Sequence, residues 1–338
     1  MTTIKEVSNY AKVSPSTVSR VLNDTAVVNE ETKQRVLEAI EKLNYQPNAF
    51  ARGLATNRSG GIGVVIKGFV SPYYANIVEG IEKVIEEHNM HLIVSSCHAN
   101  VQSEKRAVEN LMQRRADALI MHLEGFSDYE LLGWLEQDDF QSIPIILVGR
   151  YVAELQNYCV HLDNEQGGYL ATKHFIENGH RKIAHVTGNI TMKDSRDRLQ
   201  GYRRALEEAS IDFDENYVVQ GDFSVESGQL AMKRLLDRKL DMTAVFIAND
   251  EMSAGALEVL REANVQVPED LSIVGYDDIM IARFLYPALT TVQQPLNDMG
   301  KAAAELALAE LLNKKKEVKR NFEPKLIQRQ SVLDLRNK

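Results

Sequence analysis

The chain has 338 residues, more than one ordinary domain accommodates, and its 44% hydrophobic and 26% charged content fits a water-soluble globular protein. No apolar run reaches the ~18 residues that a membrane-spanning helix needs. The opening MTTIKEVSNY has Glu6 where a signal peptide needs an apolar stretch, so a cytoplasmic protein is expected. The net charge is −9, but residues 1–58 carry +2 and the remaining 280 carry −11. An acidic body repels nucleic acid, so any such contact falls to the N-terminal segment.

In chain order, Thr3-Ile4-Lys5-Glu6 spells a capping box, and a helix over about 4–11 follows with Ile4, Val7 and Ala11 on one face. Ser14 is an N-cap type. Pro15, at the first helical position, gives up an N–H that lacks a partner there anyway. This second helix runs to about Asn23, with Val18, Val21 and Leu22 apolar. A third, from about Glu30 to Asn44, carries Val36, Leu37, Ile40 and Leu43 at helical spacing. Three short helices with a tight turn between the first two read as a helix-turn-helix domain, residues 1–45. The alternative is an ordinary three-helix packing unit. On the first reading the second helix enters a major groove N-terminus first. The short Pro15 and Ser16 let it sit deep, and Ser16 reaches base edges or phosphates. Thr17, Ser19 and Asn23 offer phosphate donors, and Arg20 reaches a guanine bidentately.

Residues 46–59 form a linker. Pro47 stops the third helix, and NAFARGLA is an Asn-capped helical segment with Gly53 inside it, too short to be stable alone. From Gly61 continuous apolar runs alternate with helical stretches: IGVVI, HLIVSS, DALIMH and IPIILVG are separated by helices near 74–88, 102–115 and 127–137. The pattern repeats from Lys182 with KIAHVTG, YVVQGD, AVFIAND and LSIVGYDD, and helices near 196–209, 224–238 and 252–264. Such alternation implies parallel sheets covered on both faces, here two α/β lobes of similar size. Ligands bind beyond the carboxyl ends of such strands, where His122, Arg150, Asp222, Asn249, Asp250, Asp277 and Asp278 fall. The tail adds an amphipathic helix over 296–312, a basic surface run at 314–320 and a late strand within 323–332.

Catalytic signatures are missing. No G-x-S-x-G elbow, H-E-x-x-H or Walker loop occurs, and GGIGVV precedes a strand rather than a helix. His174, His180 and His185 lack ligand spacing and read as surface or satisfied core histidines. Cys97 and Cys159 read as small buried apolar residues. No enzyme activity, cofactor or metal is expected.

The stretch TIKEVSNYAKVSPSTVSRVLN, then TKQRVLEAIEKLNYQPNAFARGLA, GYDD, PALTTVQQP and LIQRQSV, resembles the LacI/GalR family of bacterial transcriptional regulators over essentially the whole chain. The resemblance implies a homodimeric repressor or activator on palindromic operator DNA. It implies an all-α headpiece, a hinge helix at 46–59, and an α/β core at 60–338 of two doubly wound, periplasmic-binding-protein-like lobes. The N-lobe is expected at about 60–160 and 292–320, the C-lobe at about 161–291 and 321–338. In that family the first positions of the recognition helix read bases. Here they are Pro15 and Ser16, and the unusual Pro15 points to an apolar contact, with Arg20 a further one. Leu54 matches the wedge levered into the central minor-groove step. Thr3, Tyr45, Asn48 and Ala51 complete the expected DNA-contacting set.

For a small-molecule effector, the matching positions are Tyr73, Tyr74, Arg198, Asn249, Asp250 and Asp277, with Arg150, Asp163 and Phe223 as additions. Arg, Asn and Asp suit vicinal hydroxyls, and aromatic faces suit the apolar side of a pyranose. DALIMH, DRLQGY and the closing P-x-L-I-x-R-x-S-V look like the galactose-repressor branch, which makes galactose or a galactoside the first candidate. Another hexose, a glucoside, or a purine or phosphorylated corepressor stay open. So do a sugar-binding transport or chemotaxis protein and a sugar-modifying enzyme.

Overall fold

Thr3 starts the first helix, α1 (Ile4–Ala11): its Oγ1 accepts from the Glu6 amide, and its own amide donates to Glu6 Oε2 at 2.7 Å, so both halves of the capping box form. The structure, a computed structural model, describes residues 2–23, 28–45, 59–98, 100–137, 140 and 143–336. Lys12 in the left-handed region ends α1. Ser14 Oγ accepts from the Thr17 amide at 3.1 Å to open α2 (Pro15–Asn23), and Asn29 caps α3 (Glu30–Lys42). Val7, Ala11, Val18, Val21, Val36 and Ala39 form the core of this unit, with Tyr45 packed on its edge. One expectation fails here: Leu37 is 44% exposed, and the smaller Ala39 takes the inward position, because α1 and α2 approach α3 on the face of Val36 and Ile40.

The chain divides into two compact units, 1–60 and 61–338. The second contains two six-stranded sheets. Within it come β1 (Gly61–Ile66), α4 (Pro72–Glu87), β2 (His91–Ser96), α5 (Val101–Gln113), β3 (Ala118–Met121), α6 (Asp128–Leu135), β4 (Ile145–Val148) and β5 (Cys159–Leu162). Then follow α7 (Asn164–Glu177), β6 (Ile183–Thr187), α8 (Lys193–Glu208), β7 (Val218–Gln220), α9 (Val225–Asp237), β8 (Ala244–Ile247), α10 (Asp250–Glu262), β9 (Ser272–Asp277) and α11 (Ile281–Phe284). The last are β10 (Thr290–Gln293), α12 (Leu296–Leu311), β11 (Asn321–Phe322) and β12 (Lys325–Ile327).

The first sheet has the order β11-β5-β4-β3-β1-β2, the second β12-β10-β9-β8-β6-β7, and only β10–β12 is antiparallel among the described pairs. Strands such as β1, β3 and β9 are buried along their whole length, which explains why they read as unbroken apolar runs. In each sheet the order reverses at one place, between β1 and β3 and between β6 and β8. At such a reversal the connecting helices leave on opposite faces and the loops part to form a crevice.

The chain passes between the lobes after β5, after β10 and after β11. Each crossing falls slightly later than expected, because Leu162, Gln293 and Phe322 are still paired in their sheets. The strands β5, β10 and β11 and the helix α7 are not legible as periodic patterns. In α7 the reason is packing: a Cβ on Gly168 would lie 2.1 Å from the Arg198 carbonyl oxygen, so α8 crosses where a glycine breaks the amphipathic signal. The histidines belong to the core: His180 bridges Thr243 and the Leu333 carbonyl, and His185 lies flat on Phe246 at 4.4 Å. Both cysteines are buried, and no group of three or more metal-ligating side chains occurs among the described residues.

Candidate functional site

Loops and first helical turns from both lobes, beyond the carboxyl ends of the strands, border an open cavity of about 450 Å³. From the first lobe, Ser71 caps α4 and sends Tyr73 and Tyr74 into the wall. Tyr73, Tyr74 and His122 form an aromatic trio, edge to face, with centroids 5.1–5.7 Å apart. Burial pushes both phenols above the usual tyrosine range and the His122 imidazole below the usual histidine value.

The second lobe contributes Arg198 from α8, which is 3% exposed. Its Nε donates to Asn164 Oδ1 at 2.9 Å, its Nη1 donates to the Ala248 carbonyl, and its guanidinium lies 3.7 Å from the Tyr276 ring centre. Burial alone opposes its charge, but Tyr276, Asp277 and Asp194 more than offset this and keep it protonated. Asp277 ends β9 with φ 107°, and its Oδ1 accepts from Gln294 Nε2 at 2.6 Å. Burial raises its carboxyl to about 7 and that of Asp194, one turn before Arg198, to about 6. Asn249 caps α10 through the Met252 amide and donates to the Phe223 carbonyl at 3.0 Å, fixing Phe223 with φ 72° at the cavity edge. The result is a cationic fork, carboxyls, an amide and aromatic faces around one concave space, with the composition of a site for a small polar molecule.

Of the expected effector residues, Tyr73, Tyr74, Arg198, Phe223, Asn249 and Asp277 line this cavity; three others do not. Arg150 turns away because Asp128, at the start of α6, takes its guanidinium, and the Leu123 carbonyl accepts from Nη1 at 3.4 Å. Asp163 caps α7 through the Gln166 amide and borders a separate hollow of about 220 Å³. Asp250 is wholly buried beneath the floor, where it accepts from the Thr291 hydroxyl at 2.6 Å and the Ile279 amide at 3.0 Å. It pins the strained turn after β9 rather than facing the space. Sequence reasoning missed Lys67, Glu124, Asp194 and Glu251, all of which line the cavity. Lys67 and Glu124 lie just past the ends of β1 and β3, where the strand-end rule would have found them; Asp194 and Glu251 lie in the first turns of α8 and α10.

In the headpiece, Pro15, Ser16 and Arg20 are exposed at the start and along the outer side of α2, and Thr17 and Ser19 are half-buried. Ser14 Oγ lies within hydrogen-bonding distance of both Ser16 Oγ and Thr17 Oγ1, at 2.7 and 2.9 Å. Thr3 is engaged in its capping box, and Tyr45 in the core edge. Asn48, Ala51, Leu54 and the Asn23 side chain lie outside the described residues.

A helix-turn-helix unit followed in the chain by a two-lobed core, with a cavity lined by charged, amide and aromatic side chains, defines a DNA-binding regulator that takes a small-molecule effector. Comparison with known proteins agrees. Residues 3–48 match the bacterial regulatory proteins of the lacI family, and residues 172–332 match the periplasmic binding protein-like domain. The HTH-type transcriptional repressor PurR of Photorhabdus laumondii is 38% identical over 336 residues, 99% of this chain and 98% of that protein. The HTH-type transcriptional regulator GalR of Salmonella typhimurium is 38% identical over 335 residues, 98% of this chain and 96% of that protein. Among solved structures, the lac repressor dimer bound to operator and the anti-inducer ONPF aligns with a TM-score of 0.87 at 27% identity, over 98% of this chain and 99% of that one. The CelR–cellobiose complex aligns at 0.73 with 34% identity, over 98% and 100%. The chain belongs to the lacI family of bacterial regulatory proteins: it is a DNA-binding transcriptional regulator and not an enzyme. No helix among the described residues is long and apolar enough to cross a membrane.

Proposed function

We propose that the protein is a cytoplasmic homodimeric repressor of sugar-uptake or sugar-utilisation genes, released from its operator by a sugar bound between the lobes. The observation that carries this reading is the convergence of Arg198, Asp277, Asn249 and the Phe223 ring on one cavity. A guanidinium donates, a carboxylate accepts and an amide does both, which matches adjacent hydroxyls. The ring offers a face to the apolar side of a pyranose. The walls carry Glu124, Asp194, Asp222, Glu251 and Asp277 against Lys67 and Arg198, and this acidic surplus disfavours a phosphorylated ligand. Galactose or a galactoside remains the first candidate, supported by the DRLQGY motif and by the relative GalR.

On the DNA side, the exposed Pro15, Ser16 and Arg20 would face the major groove, with Thr17 and Ser19 on the backbone. Leu54 would wedge the centre of the site. The sugar acts only through its preference for one arrangement of the lobes, and a full switch needs about 5.5 kcal/mol of that preference. Calorimetric titration against galactose, methyl galactosides, glucose, cellobiose, ribose and hypoxanthine, followed by an operator gel shift with the binder, tests the reading. A sugar that binds and weakens the shift is expected. Binding of hypoxanthine alone, or of none of these, overturns it.

A further inference from the structure

On the first-lobe wall, Glu124 sits in a more elaborate setting than any other carboxylate of the cavity. Its side chain is 7% exposed. Oε1 accepts from the Tyr74 hydroxyl at 2.6 Å, and Oε2 lies 3.2 Å from Lys67 Nζ. His122 Nδ1 stands 3.7 Å from Oε1. Beneath it, Glu104 from α5 is wholly buried, and its Oε1 accepts from the Glu124 and Gly125 amides, each at 2.8 Å. Glu104 Oε2 is buried without a partner among the described residues. Burying a carboxyl with one idle oxygen is costly, and a loop that needed only to be closed could be closed by neutral groups. The expense goes into fixing the backbone that presents Glu124.

A carboxylate offers about four acceptor positions, and Tyr74 and Lys67 occupy two of them. Glu124 and Lys67 both line the cavity, which leaves the remaining positions for a ligand there. A sugar hydroxyl both donates and accepts, so an adjacent carboxylate and ammonium satisfy it completely, whereas an epimer with that hydroxyl turned away leaves both charges short of a partner.

We infer that Glu124, paired with Lys67 and held in place by the positioning residue Glu104, reads a ligand hydroxyl on the first-lobe wall and determines which sugar the regulator accepts. This rests on the sugar reading above. It adds a second recognition surface opposite Arg198 and Asp277, at a position that no motif in the sequence marks.

The test uses the full chain and isothermal titration with D-galactose, D-glucose, D-talose and D-gulose, with cellobiose as a two-ring probe. Wild type, E124Q, K67M and E104Q are compared, and each variant's melting curve confirms that it is folded. In E124Q, affinity for the preferred sugar should fall roughly 10- to 150-fold, the factor equivalent to one charged hydrogen bond. Its preference over at least one single-centre epimer should shrink. K67M should narrow the same preference. E104Q should move that ratio in the same direction, whereas a merely structural role would lower its melting temperature and leave the ratio unchanged. Wild-type binding with E124Q and K67M indistinguishable from it overturns this inference and leaves the sugar reading standing. No binding of any of the five by the wild-type chain overturns this inference, and the sugar reading falls with it when ribose and the methyl galactosides fail to bind as well.

Discussion

Replacing Asp277 by Asn should stabilise the sugar-free core, and increasingly so as the pH rises. Asp277 is 5% exposed, and burial lifts its carboxyl from 3.8 to about 7, a value that already includes the attraction of Arg198. A folded-state pKa above the unfolded one means that the folded chain holds the proton more tightly. Below pH 4 both states are protonated, and the group contributes no difference. Between about 4 and 7 the unfolded chain releases its proton while the folded chain keeps it, so stability falls by up to ~1.4 kcal/mol per pH unit. Above 7 the loss is complete, with a ceiling of about 4 kcal/mol for a shift of roughly three units.

Asn has no proton to lose, and its Oδ1 still accepts from Gln294. D277N should therefore match the wild type near pH 4 and exceed it by about 1 to 4 kcal/mol at pH 8. Urea unfolding at pH 5, 6, 7 and 8 measures this. The fluorescence of Trp134, the single tryptophan of the chain and buried in the core, follows the transition. A difference that does not change with pH, or a variant less stable at pH 8, refutes the reasoning. The same substitution should weaken effector binding, since sites commonly trade stability for function.

D250A should lower stability by about 1–3 kcal/mol, because the Ile279 amide and Thr291 hydroxyl lose their acceptor; an unchanged urea midpoint would contradict the tethering role. G80A should destabilise by about 1–3 kcal/mol or more, since its Cβ would lie 2.0 Å from the Asn297 carbonyl oxygen where α4 meets α12, and the Trp134-monitored melting temperature reports this. T3A should remove about 1 kcal/mol from the first helix by opening the capping box, seen as roughly fivefold faster amide exchange across α1; unchanged exchange would mean the box contributes nothing in solution.

The sequence by itself determined the local and repetitive parts of this protein. The Thr3–Glu6 box and the Ser14-Pro15 start set α1 and α2, because capping depends on residues three apart. The strands buried on both faces announced themselves as apolar runs, and their order with the helices implied parallel sheets. The motifs picked out Tyr73, Arg198, Asn249 and Asp277; the structure finds Asn249 and Asp277 at the ends of β8 and β9 and Tyr73 and Arg198 on α4 and α8, all around one cavity.

Tertiary structure decided the direction of each polar side chain. Asp250 and Asn249 are neighbours at one strand end, yet the first faces downward to Thr291 and Ile279 and the second borders the cavity. Arg150 was lost to Asp128, and Asp163 to a helix cap, by partners far from them or hidden in the backbone. Glu124 was gained because Glu104, twenty residues earlier, holds its loop. Leu37 likewise kept its helical spacing and lost its burial to Ala39. Periodicity fixes where a strand ends or which turn of a helix a residue occupies. Which neighbours satisfy its polar atoms, or cover its apolar ones, depends on elements brought together only when the chain folds.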